Sequence, residues 1–220
     1  MTGTLNASSR SLTPPRAAAV AGIIFSALMI ASLCIVRVTL PDDLASPGIW
    51  LTDSNGRNAV RLAVNLVPFA GVAFLWFIGV LRNRLGALED QFFATVFLGS
   101  GLLFVGSLFA SAAAAGALLE IIPTIGIQQA DQEIYYFVQR LSHTFLNVFA
   151  VKMAGVFMFS TCTIALRTAL FPRWVAFSGF LCGVALLAVI SNWLWIALLF
   201  PLWILLVSAQ ILVADRVRHR

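Results

Sequence analysis

Arg61 and Asn65 stand four residues apart, and Arg140, His143 and Asn147 follow one another at spacings of three and four. On a helix such spacings put each set on one face. Guanidinium, imidazole and amide groups converging from two helices would grip an anionic group, a lipid phosphate or a carboxylate, through charge-assisted hydrogen bonds. Arg37, Glu120 and Asn192 are expected at similar depth. Arg37, Arg61, Asn65, Glu120, Arg140, His143 and Asn147 therefore form a candidate outward-facing pocket, with Ala150 and Ala154 continuing the α-helical stripe inward. The same residues admit a plainer role, with Arg61 or Arg140 paired to Glu120 and the others turned to headgroups, because arginine near a membrane boundary snorkels. His143 and Lys152 are also the two candidates for a proton-titratable site in a small transporter.

Lys152 is the only lysine. It lies in "FLNVFAVKMAGVFMF", from Phe145 to Phe159, which is otherwise apolar except for Asn147. Ideal helical geometry turns it about 140° from Asn147, so it stands off the polar stripe. An ammonium at membrane depth costs about 2.5–3.5 kcal/mol. The hydroxyls of Ser107 or Ser111, a proline-freed carbonyl, a phenylalanine face, a partner chain's acid or loss of the proton would each reduce that cost. A Schiff base is open to such a lysine, but nothing else in the sequence supports one.

Catalytic signatures are missing. There is no Gly-rich phosphate loop, no G-x-S-x-G, no H-E-x-x-H, and no cluster of His, Cys and carboxylates at metal-ligand spacing. With only two histidines, one of them the penultimate residue, neither a metal nor a cofactor is expected. Cys34, Cys162 and Cys182 fall inside apolar runs, where free thiols act as small packing residues.

The elements that must position these groups are membrane helices. Of the 220 residues 60% are hydrophobic and 10% charged, more apolar surface than a soluble domain of this length buries. The net charge of +5 comes from arginines scattered at the ends of apolar segments rather than gathered in a stripe, which argues against nucleic acid. About 20 helical residues cross ~30 Å of hydrocarbon. Runs of that kind lie near 17–40, 59–81, 92–119, 141–166, 174–190 and 193–214, the last two as a tight hairpin turning at "SNW". The expected fold is all-α, a six-helix transmembrane bundle over 17–214. A disordered tail over 1–16 and a basic tail over 215–220 flank it.

One side of the membrane receives Arg10, Arg16, Arg82, Arg84, Arg167, Arg173, Arg216, Arg218 and Arg220. The other receives Asp42, Asp43, Asp53, Asp131 and Glu133. The positive-inside rule makes the first side cytoplasmic, with both termini inside. Trp50 is a candidate interface anchor. Pro123 and Gly126 are expected to break "IIPTIGI", and Asp131 to open a helix above the bilayer that continues down as the fourth crossing.

Close approach through small residues must hold such a bundle together. Gly106, Ala110 and Ala114 form one row of the third helix and Ser107, Ser111 and Ala115 the next, which predicts that this helix is the centre of the bundle. Gly179 and Gly183 give the fifth helix a GxxxG. The stretches "RLAVNLVPFAGVAFLWFIGVLRNRLG" and "RTALFPRWVAFSGFLCGVALL", the second carrying the turn Phe171-Pro172-Arg173-Trp174 before a Gly-rich helix, resemble in layout a bacterial family of small six-helix membrane proteins of unknown function. That resemblance implies a bacterial cytoplasmic membrane and brings no activity with it. The expected role is non-enzymatic. It is the binding of a lipid or other amphiphile, or of a partner membrane subunit or second copy that would supply a counter-charge to Lys152. A proton-linked transporter and a lipid-headgroup enzyme are the alternatives.

Overall fold

The computed structural model describes residues 14–39, 53–85, 91–125, 129–168, 172–188 and 194–218. The described residues are 98% helical, and there is no strand among them. Helices α1 (Pro14–Thr39), α2 (Ser54–Leu85) and α3 (Gln91–Ile125) come first. Helix α4 runs through Gln129–Thr144, a π-helical turn Phe145–Ala150, and Val151–Thr168. Helix α5 is Arg173–Ala188. Helix α6 is one turn, Leu194–Ala197, then Leu199–Arg218 after a break at Leu198. Five of the six are long and apolar enough to cross a membrane, and α5 is a shorter apolar helix.

The six expected helices are present, with different ends. Helix α1 begins at Pro14, inside the stretch expected as a tail, because proline suits the first turn of a helix. Helix α2 begins at Ser54 because Asp53 caps it, its carboxylate accepting the backbone N–H groups of Asn55 and Gly56 at 3.2 Å. Helix α3 passes through Pro123 instead of breaking there. Leu118 and Leu119, packed on Val60 and Tyr135, carry its end along with those of α2 and α4, and tertiary packing of this kind outweighs local propensity. Helix α6 reaches Arg218, so Asp215 belongs to a helix and not to a tail. The tail before residue 14, Trp50, and Asn192 with the hairpin turn lie outside the described residues.

Each helix packs on its chain neighbours, and α6 returns to α1, closing a ring. Phenylalanines fill the middle. Phe25 of α1, Phe74 of α2, Phe104 of α3, Phe157 of α4 and Phe200 of α6 are all buried. Phe74 stands with its ring centroid 4.7 Å from Phe25, 5.2 Å from Phe104 and from Phe157, and 5.5 Å from Phe200. These tilted and edge-on contacts add about 0.5–1.5 kcal/mol per pair beyond area burial. The centre of the bundle is thus this aromatic cluster and not α3. Helix α3 contributes Phe104, Val105, Leu108 and Ser111 to buried contacts, while Gly106 is exposed, with open space where its side chain would be. Ser107 and Ala110 are half-buried. Small residues do mediate close approach at the α4–α5 seam. A Cβ on Gly155 would stand 3.2 Å from the carbonyl oxygen of Gly183, and one on Gly183 3.4 Å from that of Gly155.

A polar link spans each seam of the ring. Ser32 donates to the Ala63 carbonyl (α1–α2, 3.0 Å) and Trp203 Nε1 to the Val175 carbonyl (α6–α5, 3.3 Å). Arg61 reaches Glu120 (α2–α3, 3.9 Å). Ser111 and Ser142 join α3 to α4, and Lys152 joins α4 to α5. Arg16 Nε donates to Asp215 Oδ2 at 2.6 Å, closing α1 on α6. That last pair puts the beginning of α1 and the end of α6 at the same end of the bundle.

Candidate functional site

The polar residues of α4 are placed by its π-helical turn. The backbone N–H of Val151 reaches back five residues to the Leu146 carbonyl. A π-turn adds about one residue's worth of rotation, ~100°, between the parts it joins. The stripe expected on a regular α-helix is therefore split. Ala150 at the end of the turn and Ala154 below it are buried, whereas Arg140 and His143 above it are exposed and Asn147 within it is half-buried. Asn147 Nδ2 stands 3.5 Å from His143 Nδ1, and Thr144 Oγ1 donates to the Arg140 carbonyl at 2.8 Å.

Ser142, absent from the sequence-derived set, is what faces α3. Ser111 Oγ donates to the Ser142 carbonyl and Ser142 Oγ to the Ser111 carbonyl, both at 2.9 Å. Each hydroxyl has one proton, already given to a carbonyl, so the 3.1 Å between the two oxygens adds no third bond. This reciprocal pair fixes the register of α3 against α4. With 1.5 Å of rise per residue, Glu120 lies about 13 Å along the axis from Ser111 and Arg140 about 3 Å from Ser142, in the same direction. The Arg61–Glu120 pair is thus about 10 Å from the level of Arg140, and Asn147 is about 10 Å further on the other side. These candidate residues of α2, α3 and α4 are spread along the bundle axis instead of meeting in one pocket.

The structure brings together Arg61 with Glu120, both solvent-facing at 54% and 80% side-chain exposure, and His143 with Asn147. Asn65 is exposed one turn from Arg61, and Arg37 is half-buried near the end of α1, which packs on α2 and α6. Around Arg140 and His143 the exposed surface of α4 is apolar. Phe137 is 68% exposed, and Leu141, Val148 and Phe149 also face outward. This mixture of cation, amide and hydrocarbon can hold an anionic headgroup next to its chains. Among the described residues no group of three or more His, Cys, Asp or Glu could hold a metal ion.

Lys152 has a partner that none of the sequence-level alternatives named. Its Nζ donates to the carbonyls of Leu186 at 3.1 Å and Leu187 at 2.6 Å. These belong to the last turn of α5, where carbonyls have no partner within the helix and the helix dipole is negative. The 16 residues of α5 rise only about 24 Å, short of the hydrocarbon thickness, so its end needs donors from a neighbour. No ligand or partner acid is required to explain this charge. The signal in the sequence was a lysine facing a hairpin whose first helix is short. Asp215, 8% exposed in its side chain and bound to Arg16, was also missed. Its signal was a carboxylate extending an apolar helix beside an arginine-tipped one.

Fold and site define an all-α bundle, five of whose helices are long and apolar enough to cross a membrane, with exposed cationic and amide side chains on α2 and α4 and the Glu120 carboxylate on α3. Protein-family models, curated protein sequences and solved structures were each compared with the chain, and none matches.

Proposed function

We propose that this chain is a non-enzymatic multi-pass protein of a bacterial cytoplasmic membrane, both termini cytoplasmic, which binds an anionic amphiphile on the outer part of α4. The observation that carries the reading is the company kept by Arg140 and His143, which are exposed among Phe137, Leu141 and Val148. A phosphate or carboxylate there would take charge-assisted hydrogen bonds from the guanidinium while its chains lie on the apolar side chains. The Arg16–Asp215 pair supports termini on one side, and the arginines tipping the helices at that end favour the cytoplasm for it. The phenylalanine cluster, drawn from five of the six helices, favours a binding role over a conduit along the bundle axis. Lys152, held by carbonyls of the same chain, shifts the reading from a partner subunit toward a lipid.

Native mass spectrometry of the detergent-purified protein, supplied with equal phosphatidylglycerol and phosphatidylcholine, tests this. The anionic lipid is expected to be retained preferentially, and Arg140→Gln to lower that retention several-fold. Equal retention of both lipids, or an unchanged preference in Arg140→Gln, would count against the proposal.

A further inference from the structure

Most of the buried serine and threonine hydroxyls donate to a backbone carbonyl, in one of two ways. Ser100, Ser160, Thr161, Thr163, Thr168 and Ser178 donate to carbonyls three or four residues back in their own helices. Ser32, Ser111 and Ser142 donate across a seam. Ser26 and Ser208 do neither. Both are fully buried, and neither Oγ has a hydrogen-bond partner among the described residues. Both belong to the two helices of the α1–α6 seam. Gly22, one turn from Ser26 on the same face of α1, packs against Ser208 Oγ so closely that any Cβ there would collide with it. The only hydrogen this contact offers the hydroxyl is a Cα–H, a weak donor. Closing the seam thus buries two hydroxyls at a loss, because each forgoes a bond that a backbone carbonyl would accept.

Two further features lie on the same helix. Near its start α6 is broken at Leu198, and Pro201, which has no N–H, leaves the carbonyl four residues before it without its usual donor. Kinks in helices localise at such points. At the far end Asp215, seven residues beyond Ser208 and so on the same face, is held by Arg16 of α1. Hinge, strained seam and terminal ion pair occur together.

We propose that α6 is a swinging element, pivoting at Leu198–Pro201, and that the Arg16–Asp215 pair is the latch that keeps the α1–α6 seam shut. Release of the latch parts the seam, frees the Ser26 and Ser208 hydroxyls to bond to their own helices, and presents Phe25 and Phe77, the ring beside Gly22, to the acyl chains of the bilayer. Trp203, bonded to the Val175 carbonyl of α5, keeps the pivot end in place.

Spin labels at Val213 of α6 and Leu103 of α3, both exposed, report the swing as a distance distribution in lipid nanodiscs. The background carries alanine at Cys34, Cys162 and Cys182. A main distance with a minor longer component is expected. Asp215→Asn should raise the longer component several-fold, the charge exchange Arg16→Asp with Asp215→Arg should restore the starting distribution, and Ser26→Ala with Ser208→Ala should suppress the longer component. Gel filtration establishes that each variant is folded and monodisperse. A single distance unchanged by Asp215→Asn, or a longer component that the charge exchange fails to reverse, would overturn the latch. If the alanine background does not fold, hydrogen exchange of the native-cysteine protein takes the place of the spin labels. Faster exchange of residues 16–26 and 204–215 in Asp215→Asn supports the proposal, and unchanged exchange there overturns it.

Discussion

Replacing Lys152 by methionine removes two opposing contributions at once, whose central values can be compared. Nζ makes two hydrogen bonds to carbonyls at the end of α5, at 3.1 and 2.6 Å. Hydrogen bonds involving a charged group are worth about 1.5–3 kcal/mol each, so about 3–6 kcal/mol of interaction is lost. Against this, methionine escapes the insertion cost of an ammonium, about 2.5–3.5 kcal/mol. The expected net effect is a destabilisation of about 1–2 kcal/mol, near a tenfold change in the unfolding equilibrium. Reversible unfolding in bicelles measures it, with fraying of α5 beyond Leu186 read separately by hydrogen exchange. Anionic lipid retention should be unchanged in the same variant. A Lys152→Met protein as stable as the wild type, or more stable, would show that desolvation outweighs the carbonyl bonds and that the α5 end has other donors. Lost lipid retention at full stability would return Lys152 to the set of binding residues.

Two other expectations follow from the seams. At Gly179 a Cβ would collide with Cys162 Sγ and lie 2.7 Å from Trp203 Nε1, whereas at Gly106 it would meet open space. Gly179→Ala should therefore cost about 1–3 kcal/mol by overpacking, and Gly106→Ala should be neutral or stabilising by up to about 1 kcal/mol; unfolding midpoints of the pair decide. Ser111→Ala removes one of the two α3–α4 hydrogen bonds and should cost about 0.6 kcal/mol, within the range known for bonds between membrane helices, with a loss that is not additive with Ser142→Ala in a double-mutant cycle.

Six apolar stretches and their approximate positions were legible in the chain, because hydrophobic runs of bilayer length admit few other backbones. The ends of the helices were not. Asp53 starts α2 as a cap, and Leu118, Leu119 and Tyr135 prolong α3 and α4 through mutual packing, which depends on residues distant in sequence. The expected polar residues are spread because helix rise sets the Arg61–Glu120 pair about 10 Å along the axis from Arg140, and the extra residue accommodated at Phe145–Ala150 turns Ala150 and Ala154 off the stripe. No periodicity argument anticipates a π-turn, since it is selected by what each half of α4 must meet, Ser111 above and α5 below.

The sequence by itself determined that this is a helical membrane protein, that its few polar side chains are exceptional, and that Lys152 needs something to answer its charge. Only the tertiary structure decided what answers it. The order of helices around a ring, the choice of phenylalanine over small residues for the centre, and the meeting of Lys152 with α5 and of Arg16 with Asp215 depend on which surfaces fit. In a bilayer that choice is made by packing and by hydrogen bonds between helices, because lipid is as apolar as the side chains and hydrophobicity alone does not rank one neighbour above another.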